Sequence, residues 1–301
     1  MAAEGTGKRA LITGLSGFTG QYLAQQLRAA GYQVFGTVSP DQVAGADQFA
    51  VDLLDRAALA EVVQQVRPDV VAHLAAIAFV AHGDVEQIYR VNVVGTRNLL
   101  EALAALPRKP AAVLLASSAN IYGNTEVGVI HEEVAAAPAN DYAVSKLTME
   151  YMARLWQDKL PLIVVRPFNY TGVGQQDNFL LPKIVSHFRR KAADIELGNL
   201  HVWRDFSDVR MVASCYRKLL AAPAAIGQTF NICSGHAYSL GEALDMMADI
   251  AGYKINVHVN PAFVRANEVV RLVGDNRRLA GVIGAIDTPP LADTLRWMYS
   301  A

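Results

Sequence analysis

Arg9-Ala-Leu-Ile-Thr-Gly14-Leu-Ser-Gly17-Phe-Thr-Gly20 places three glycines three residues apart, directly after a short apolar run. The run reads as a strand, and Phe18 begins a helical pattern. A glycine-rich turn at such a junction lets the backbone approach a pyrophosphate, and the helix N-terminus behind it favours negative charge. The spacing alone also occurs in turns that bind nothing. Its position at a first strand-to-helix junction is what points to a dinucleotide. Gly14, Ser16, Gly17, Phe18, Thr19 and Gly20 are therefore candidate cofactor contacts.

Working outward, short apolar runs at 10–13, 33–38, 49–51, 70–74, 112–117 and 162–166 alternate with stretches at 18–30, 55–66, 84–106 and 142–158. The longer stretches carry apolar residues at three- and four-residue spacing, so they read as helices between strands. The fold class is α/β: a Rossmann-type doubly wound parallel sheet, with a smaller carboxy-terminal α/β substrate lobe. Glycine and proline punctuation thickens after Pro167, at Gly172, Gly174, Pro182 and Gly198. The expected division gives 1–168 to the cofactor-binding sheet, with 201–230 returning to it, and 169–200 and 231–301 to the lobe.

Charge and composition exclude several classes. The 301 residues are 52% hydrophobic, and 27 Lys and Arg nearly balance 28 Asp and Glu, which leaves no basic field for nucleic acid. The longest apolar run, 70–81, is too short to span a bilayer and is interrupted by His73, and the first residues lack the apolar core of a leader. No membrane association and a cytoplasmic location are expected. Cys215 and Cys233 stand alone and the histidines are scattered, so no metal site is expected either.

The end of the second predicted strand bears on cofactor choice. An acid there would accept a hydrogen bond from the 2′-hydroxyl of NAD, but the residues are Thr37, Val38 and Ser39, with no acid until Asp41. NADPH is expected, with NADH tolerated. Asp52 and Leu53 fit an adenine edge, and equally fit an ordinary helix cap.

Tyr142-Ala-Val-Ser-Lys146 sets a phenol and an ammonium one helical turn apart. A nearby cation favours phenolate; bringing a tyrosine from about 10 toward neutrality is about three units, or roughly 4 kcal/mol. Spacing by itself also fits an exposed helical pair. The segment Leu114-Leu-Ala-Ser117-Ser118-Ala-Asn120-Ile-Tyr122-Gly123 adds hydroxyls at the carboxyl end of a buried strand, where ligands of such sheets bind and where a donor would stabilise an oxyanion.

Taken in order, TGLSGFTG (13–20), His73-Leu-Ala-Ala76, Asn92 in VNVVGT, SSANIYG (117–123) and YAVSK (142–146) resemble the extended short-chain dehydrogenase/reductases over nearly the whole chain. The resemblance implies Ser118 as catalytic hydroxyl, Tyr142 as general acid, Lys146 also holding the nicotinamide ribose, and Asn92 in the proton relay. It implies further cofactor contacts at Ser39, Leu74, Ala75, Ala76 and Pro167. Asn169 in RPFN, Arg204 in RDFSDV, the NICSG turn (231–235), and Arg265 with Glu268 look like segments that hold a nucleotide-diphosphate sugar. Arg204 and Arg265 would meet the diphosphate, a task suited to the planar guanidinium, and Glu268 a ribose hydroxyl.

Asn120 is also a substrate-side position, and dehydratases of the family carry an acid there. An amide cannot exchange protons near neutral pH as a carboxylic acid does, so the resemblance disfavours dehydration. The branch most similar in its motifs is the GDP-6-deoxy-D-mannose reductases. That likeness implies conversion of GDP-4-keto-6-deoxy-D-mannose to GDP-D-rhamnose, with UDP-, CDP- or dTDP-linked sugars as less favoured substrates. One departure is Val282-Ile-Gly-Ala-Ile286, where relatives carry a Leu-Gly-Trp packing motif. The family also implies a homodimer, built as a four-helix bundle from 84–106 and 142–158. Two other readings stay open: a 4-epimerase that retains NAD, and a non-catalytic NAD(P)-binding sensor or scaffold.

Overall fold

The computed structural model describes residues 4–78, 84–125, 127–263 and 271–301. Seven parallel strands form the main sheet: β1 (Arg9–Thr13), β2 (Gln33–Val38), β3 (Gln48–Ala50), β4 (Val70–His73), β5 (Ala112–Ala116), β6 (Leu162–Pro167) and, after the intervening β7 (Asn169–Thr171), β8 (Asp194–Leu197) and β9 (Trp203–Asp208), the strand β10 (Thr229–Ile232). Their order is β10-β6-β5-β4-β1-β2-β3. The chain reverses direction of growth between β1 and β4, and such a switch point opens a crevice at the carboxyl ends of the strands.

The central strands are continuous apolar runs because both faces are covered. Ile12 and Leu114 point into one cluster, with α1 (Phe18–Ala29) and, after the helices α2 (Arg56–Val66), α3 (Val85–Tyr89), α4 (Thr96–Ala105), α5 (Asp141–Arg154) and α6 (Leu180–Arg189), with α7 (Val209–Leu220). Leu11, Val113 and Leu115 point into the other, against Leu59 and Val63 of α2, Leu99 and Leu103 of α4 and Met149 of α5. Each fully buried aliphatic side chain contributes about 1.5–3 kcal/mol, so the alternation fixes which helix lies on which face.

Two helices differ from their sequence reading. The stretch expected as one helix over 84–106 is α3 followed by a π-helical segment, Arg90–Gly95, and then α4. Val91, Val93 and Val94 imitate a helical apolar pattern although the segment buries Asn92 and Gly95, which is why periodicity does not reveal it. Gly95 packs so closely that a Cβ there would sit 2.9 Å from Leu53 Cβ. The helix expected over 142–158 is α5, which Asn140 starts one residue earlier by accepting from Ala143 N at 2.9 Å. It ends at Arg154, and backbone turns carry the chain from Leu155 to Leu160.

The second lobe has its own core, with Ile184, Phe188, Phe206, Met247 and Leu295 at its centre. Around it lie α6, α8 (Leu240–Ala251) and, beyond α9 (Arg277–Ile283), α10 (Leu291–Ser300). Strand β9 pairs with β7, with β11 (Ala237–Ser239) and, past β12 (Asn256–Val259), with β13 (Arg271–Leu272); β8 pairs with β12. The chain returns to the sheet domain through α7 and β10 as far as Ile232, and again through α9. Val282, Ile283 and Ile286, in the segment that departs from the Leu-Gly-Trp motif, pack against the first cluster beside Leu279. No described helix is long and apolar enough to cross a membrane.

Candidate active site at the carboxyl edge of the sheet

The glycine turn follows β1 at the switch point. Gly14 has φ +73°, a left-handed conformation that favours glycine, and a Cβ on it would come within 3.0 Å of the Ala75 backbone. At Gly20 a Cβ would lie 2.3 Å from the Gly14 carbonyl oxygen, so this glycine allows α1 to pack on the turn. The exposed Gly17 is different: a Cβ would meet only the Gly14 carbonyl at 3.1 Å, with open space beyond. Gly17 is also the N-cap of α1 and supplies no side-chain acceptor, leaving the first-turn N–H groups for an anion. This cradle fits a dinucleotide pyrophosphate.

His73 braces the turn from behind. Its Nδ1 lies 2.7 Å from Thr13 Oγ1 and its Nε2 2.8 Å from Thr96 Oγ1, while Thr13 Oγ1 also accepts from Ala75 N at 3.3 Å. Burial, with a smaller push from the Lys146 charge, holds the imidazole down to about 3, so it is neutral at pH 7. Leu74, Ala75 and Ala76 continue from it as a half-buried wall, and half-buried Pro167 ends β6. Ser39 is exposed after β2. Ser16 Oγ donates to Gln42 Oε1 at 2.6 Å, closing the loop beyond β2 over the turn. Asp52 Oδ1 accepts from Leu54 N at 2.9 Å, a local cap, and the buried Leu53 lends its carbonyl to Asn98 Nδ2 at 3.0 Å.

Ser118, Tyr142 and Lys146 converge at the end of β5. Ser118 caps the 3-10 turn Ala119–Tyr122 by accepting from Asn120 N at 3.1 Å, and it stands near enough to the Tyr142 phenol to influence its acidity. Lys146 Nζ donates to the Ala116 carbonyl at 2.8 Å and lies 6.0 Å from the centre of the Tyr142 ring. Among the protein's own groups burial dominates and pushes Tyr142 up to about 12, with Ser118 pulling the other way. Burial also brings Lys146 down to about 8, with Glu150 opposing. The phenol is thus protonated at neutral pH, the state a proton donor needs. Ser117, beside Ser118, has a buried hydroxyl with no partner among the described residues.

Asn92 sits in the π-helical segment. Its Oδ1 accepts from Ile77 N at 2.9 Å, and its Nδ2 donates to Ile77 O at 3.2 Å and to Ser145 Oγ at 3.0 Å. Its side chain therefore clamps the segment after Ala76 to α5 at Ser145, the residue before Lys146, and is not bonded to Tyr142 or Lys146. Its carbonyl accepts from Thr96 Oγ1 at 2.7 Å, which links it to His73.

Two buried networks were not anticipated. Arg166 makes a two-pronged pair with Glu150 (Nε–Oε1 3.0 Å, Nη2–Oε2 2.7 Å) and donates to Tyr122 Oη at 2.8 Å; Tyr122 in turn donates to Asn231 Oδ1 at 2.8 Å. Glu150 stands one turn past Lys146, so the i, i+4, i+8 stripe Tyr142, Lys146, Glu150 was the available signal. The second network centres on the buried Asp205 of the RDFSDV segment. It accepts from Ser234 N at 2.8 Å, Ser234 Oγ at 2.6 Å, Gly235 N at 2.9 Å and Gly274 N at 3.3 Å, fastening the NICSG turn to β9.

On the substrate side, Asn120 and Asn169 are exposed at the mouth, Asn169 with its Nδ2 3.4 Å from the Asp205 carbonyl. Arg204 is half-buried on β9, where Nη1 donates to Trp203 O at 2.9 Å. Arg265 and Glu268 lie outside the described residues. Among the described residues no group of His, Cys, Asp or Glu could hold a metal ion.

Over residues 11–284 the sequence matches the family described as GDP-mannose 4,6 dehydratase. It is 34% identical over 275 residues to the GDP-6-deoxy-D-talose 4-dehydrogenase of Aggregatibacter actinomycetemcomitans, covering 91% of this chain and 90% of that one. To the GDP-6-deoxy-D-mannose reductase of Pseudomonas aeruginosa it is 34% identical over 304 residues, covering 97% and 96%. Among solved structures, a Burkholderia cenocepacia protein superimposes with a TM-score of 0.93 at 55% identity, over 98% of each chain. RMD from Pseudomonas aeruginosa complexed with NADPH superimposes with a TM-score of 0.85 at 32% identity, over 97% of this chain and 98% of that one.

Proposed function

Because the chain belongs to the GDP-mannose 4,6-dehydratase family of extended short-chain dehydrogenase/reductases, we propose that it reduces the 4-keto group of a nucleotide-diphosphate 6-deoxyhexose. The favoured conversion is GDP-4-keto-6-deoxy-D-mannose to GDP-D-rhamnose, with NADPH as reductant and NADH accepted. The relatives named for GDP-6-deoxy-D-mannose and GDP-6-deoxy-D-talose support a GDP-linked substrate. NADPH in the RMD complex, and the lack of an acid at Val38, support the cofactor.

The bound dinucleotide supplies a hydride to C4. The chain supplies everything else. Gly14, Gly17 and the first turn of α1 receive the pyrophosphate, and Lys146 is placed for the nicotinamide ribose. Ser118 orients the keto oxygen, and Tyr142 delivers its proton to that oxygen as charge develops. Burial keeps the phenol protonated until charge develops on that oxygen. Arg204, Arg265, Asn169 and Glu268 hold the nucleotide.

The single observation that carries reduction over dehydration is the site's proton inventory: a Tyr142 phenol kept protonated by burial with Ser118 beside it, and an amide, Asn120, where elimination would require an acid. Mixing the protein with NADPH and GDP-4-keto-6-deoxy-D-mannose should bleach the reduced-nicotinamide absorbance. Tyr142→Phe should abolish turnover while leaving NADPH binding intact. An active Tyr142→Phe protein sinks the mechanism, and NMR of the product separates rhamno from talo configuration at C4.

Along the stretches 84–106 and 142–158, the large hydrophobic residues Val85, Val94, Tyr151 and Leu155 are exposed, Leu155 at 78%. A homodimer through a four-helix bundle would cover them, consistent with a cytoplasmic enzyme. Light scattering on the wild type and on Leu155→Glu tests this: a dimer that survives the charge unchanged is evidence against this interface.

A further inference from the structure

Tyr170, half-buried on β7, has none of the roles assigned above. Its hydroxyl lies 2.8 Å from Thr19 Oγ1 in the first turn of α1, and its ring runs within 8° of parallel to that of Phe18, 6.0 Å between centroids. One turn further along α1 the Tyr22 hydroxyl donates to the Val173 carbonyl at 2.7 Å, a second tie between the same two segments. The first turn of α1 is the pyrophosphate end of the groove.

The wall that carries Tyr170 continues from the strand beside the proton-donor site. Tyr170 follows Pro167, the last residue of β6, and β6 pairs with β5, past whose end Ser118 stands. Its register partner on β9, Ser207, has a buried hydroxyl with no partner among the described residues. A hydride donor must lie beside Tyr142 while its pyrophosphate rests on α1. The Thr19–Tyr170 bond ties the α1 wall to the wall that continues from β6.

We propose that Tyr170 is a positioning residue for the nicotinamide end of the cofactor, its bond to Thr19 holding the two walls of the groove at the separation that seats the ring beside Tyr142. A wall fixed before binding need not be ordered at binding, and that saving appears as affinity. The inference rests on the NAD(P)H reading of the site and is independent of which sugar is reduced.

The test compares NADPH with 2′,5′-ADP, which carries the phosphoadenosine end and no nicotinamide. For Tyr170→Phe the NADPH Kd, followed by nicotinamide fluorescence, should rise about tenfold, the loss of one hydrogen bond's worth of order. The Kd for 2′,5′-ADP, followed by calorimetry, should stay within about twofold. Thr19→Val should reproduce the loss, Thr19→Ser should restore most of it, and the double variant should be no worse than either single one. Thr19→Val also carries the test should Tyr170→Phe fail to fold. An unchanged NADPH Kd overturns the proposal, and so does an equal loss for both ligands, which would mean that α1 has simply shifted. A wild type that binds NADPH yet ignores the keto sugar overturns the proposed reaction and leaves this comparison valid. A wild type that does not bind NADPH overturns both.

Discussion

Acidification should cost this protein stability through His73 in particular. The folded imidazole is held down to about 3 by burial and, secondarily, by the Lys146 charge. An unfolded chain takes up the proton at the ordinary value of about 6.5, so below that pH the unfolded state binds more protons and stability falls. The contribution is whole above about 6.5 and is lost progressively toward 3. Going from about pH 7 to about pH 5, the unfolded side chain gains about three-quarters of a proton while the folded one gains almost none, a linkage of about 2 kcal/mol. For 301 residues the unfolding entropy is about 0.6 kcal/mol per degree, which makes the loss about 3 °C in Tm. His73→Gln removes the titration while keeping a polar group that can reach Thr13 or Thr96. The variant should start about 1–3 kcal/mol less stable, because one of two buried hydroxyl contacts goes unmet. Its further loss on acidification should be smaller than that of the wild type by about 2 kcal/mol. Buried Asp205, pushed up by desolvation, contributes with the opposite sign in both proteins and cancels in the difference. Equal acid losses in unfolding titrations of the two proteins would refute a neutral, buried His73.

Other outcomes follow from the site. Lys146, brought down to about 8, should impose an alkaline limb on kcat/KM with activity falling as pH rises through about 8, and Lys146→Arg should move that limb upward; a flat profile to well above that pH contradicts the assignment. Glu150→Gln leaves Arg166 buried without its carboxylate, which should cost about 3–5 kcal/mol in urea unfolding, and should draw the Lys146 limb lower because Glu150 supports that charge. Gly20→Ala forces a Cβ against the Gly14 carbonyl, so NADPH binding by calorimetry should be lost or sharply weakened, at a stability cost of about 1–3 kcal/mol; a variant that binds normally would show the turn to be more tolerant than its packing implies.

The sheet was legible because its strands are buried on both faces. β1, β4, β5 and β6 appear in the sequence as short, mainly apolar runs, and they and β2 fall within about a residue of their expected limits. The glycine turn was legible for a local reason, since its three glycines act within twelve residues of chain. What depended on long-range packing was not. Arg166 and Glu150 meet across two elements, and Asp205 collects N–H groups from residues about thirty and seventy positions away, which no local spacing reports. Burial of Tyr142 was not legible for a related cause. Spacing supplies the neighbouring cation but carries no measure of burial, which sets the direction among the protein's own groups. The π-helical segment escaped because its valines fit a helical pattern in sequence, while the residues it buries are Asn92 and Gly95.

The place of β10 bears on how the chain is made. The last parallel strand pairs with β6, yet it is separated from it by the whole of β7, α6, β8, β9 and α7. A nascent chain that has emerged only as far as Arg166 therefore holds β6 as a bare edge, apolar and unpaired, until some sixty further residues arrive. Domain-by-domain folding is closed to this topology: the sheet cannot be sealed before the lobe that interrupts it has been synthesised. A chain cut at 168 should accordingly self-associate through that edge, and the intact protein has reason to fold its second lobe fast.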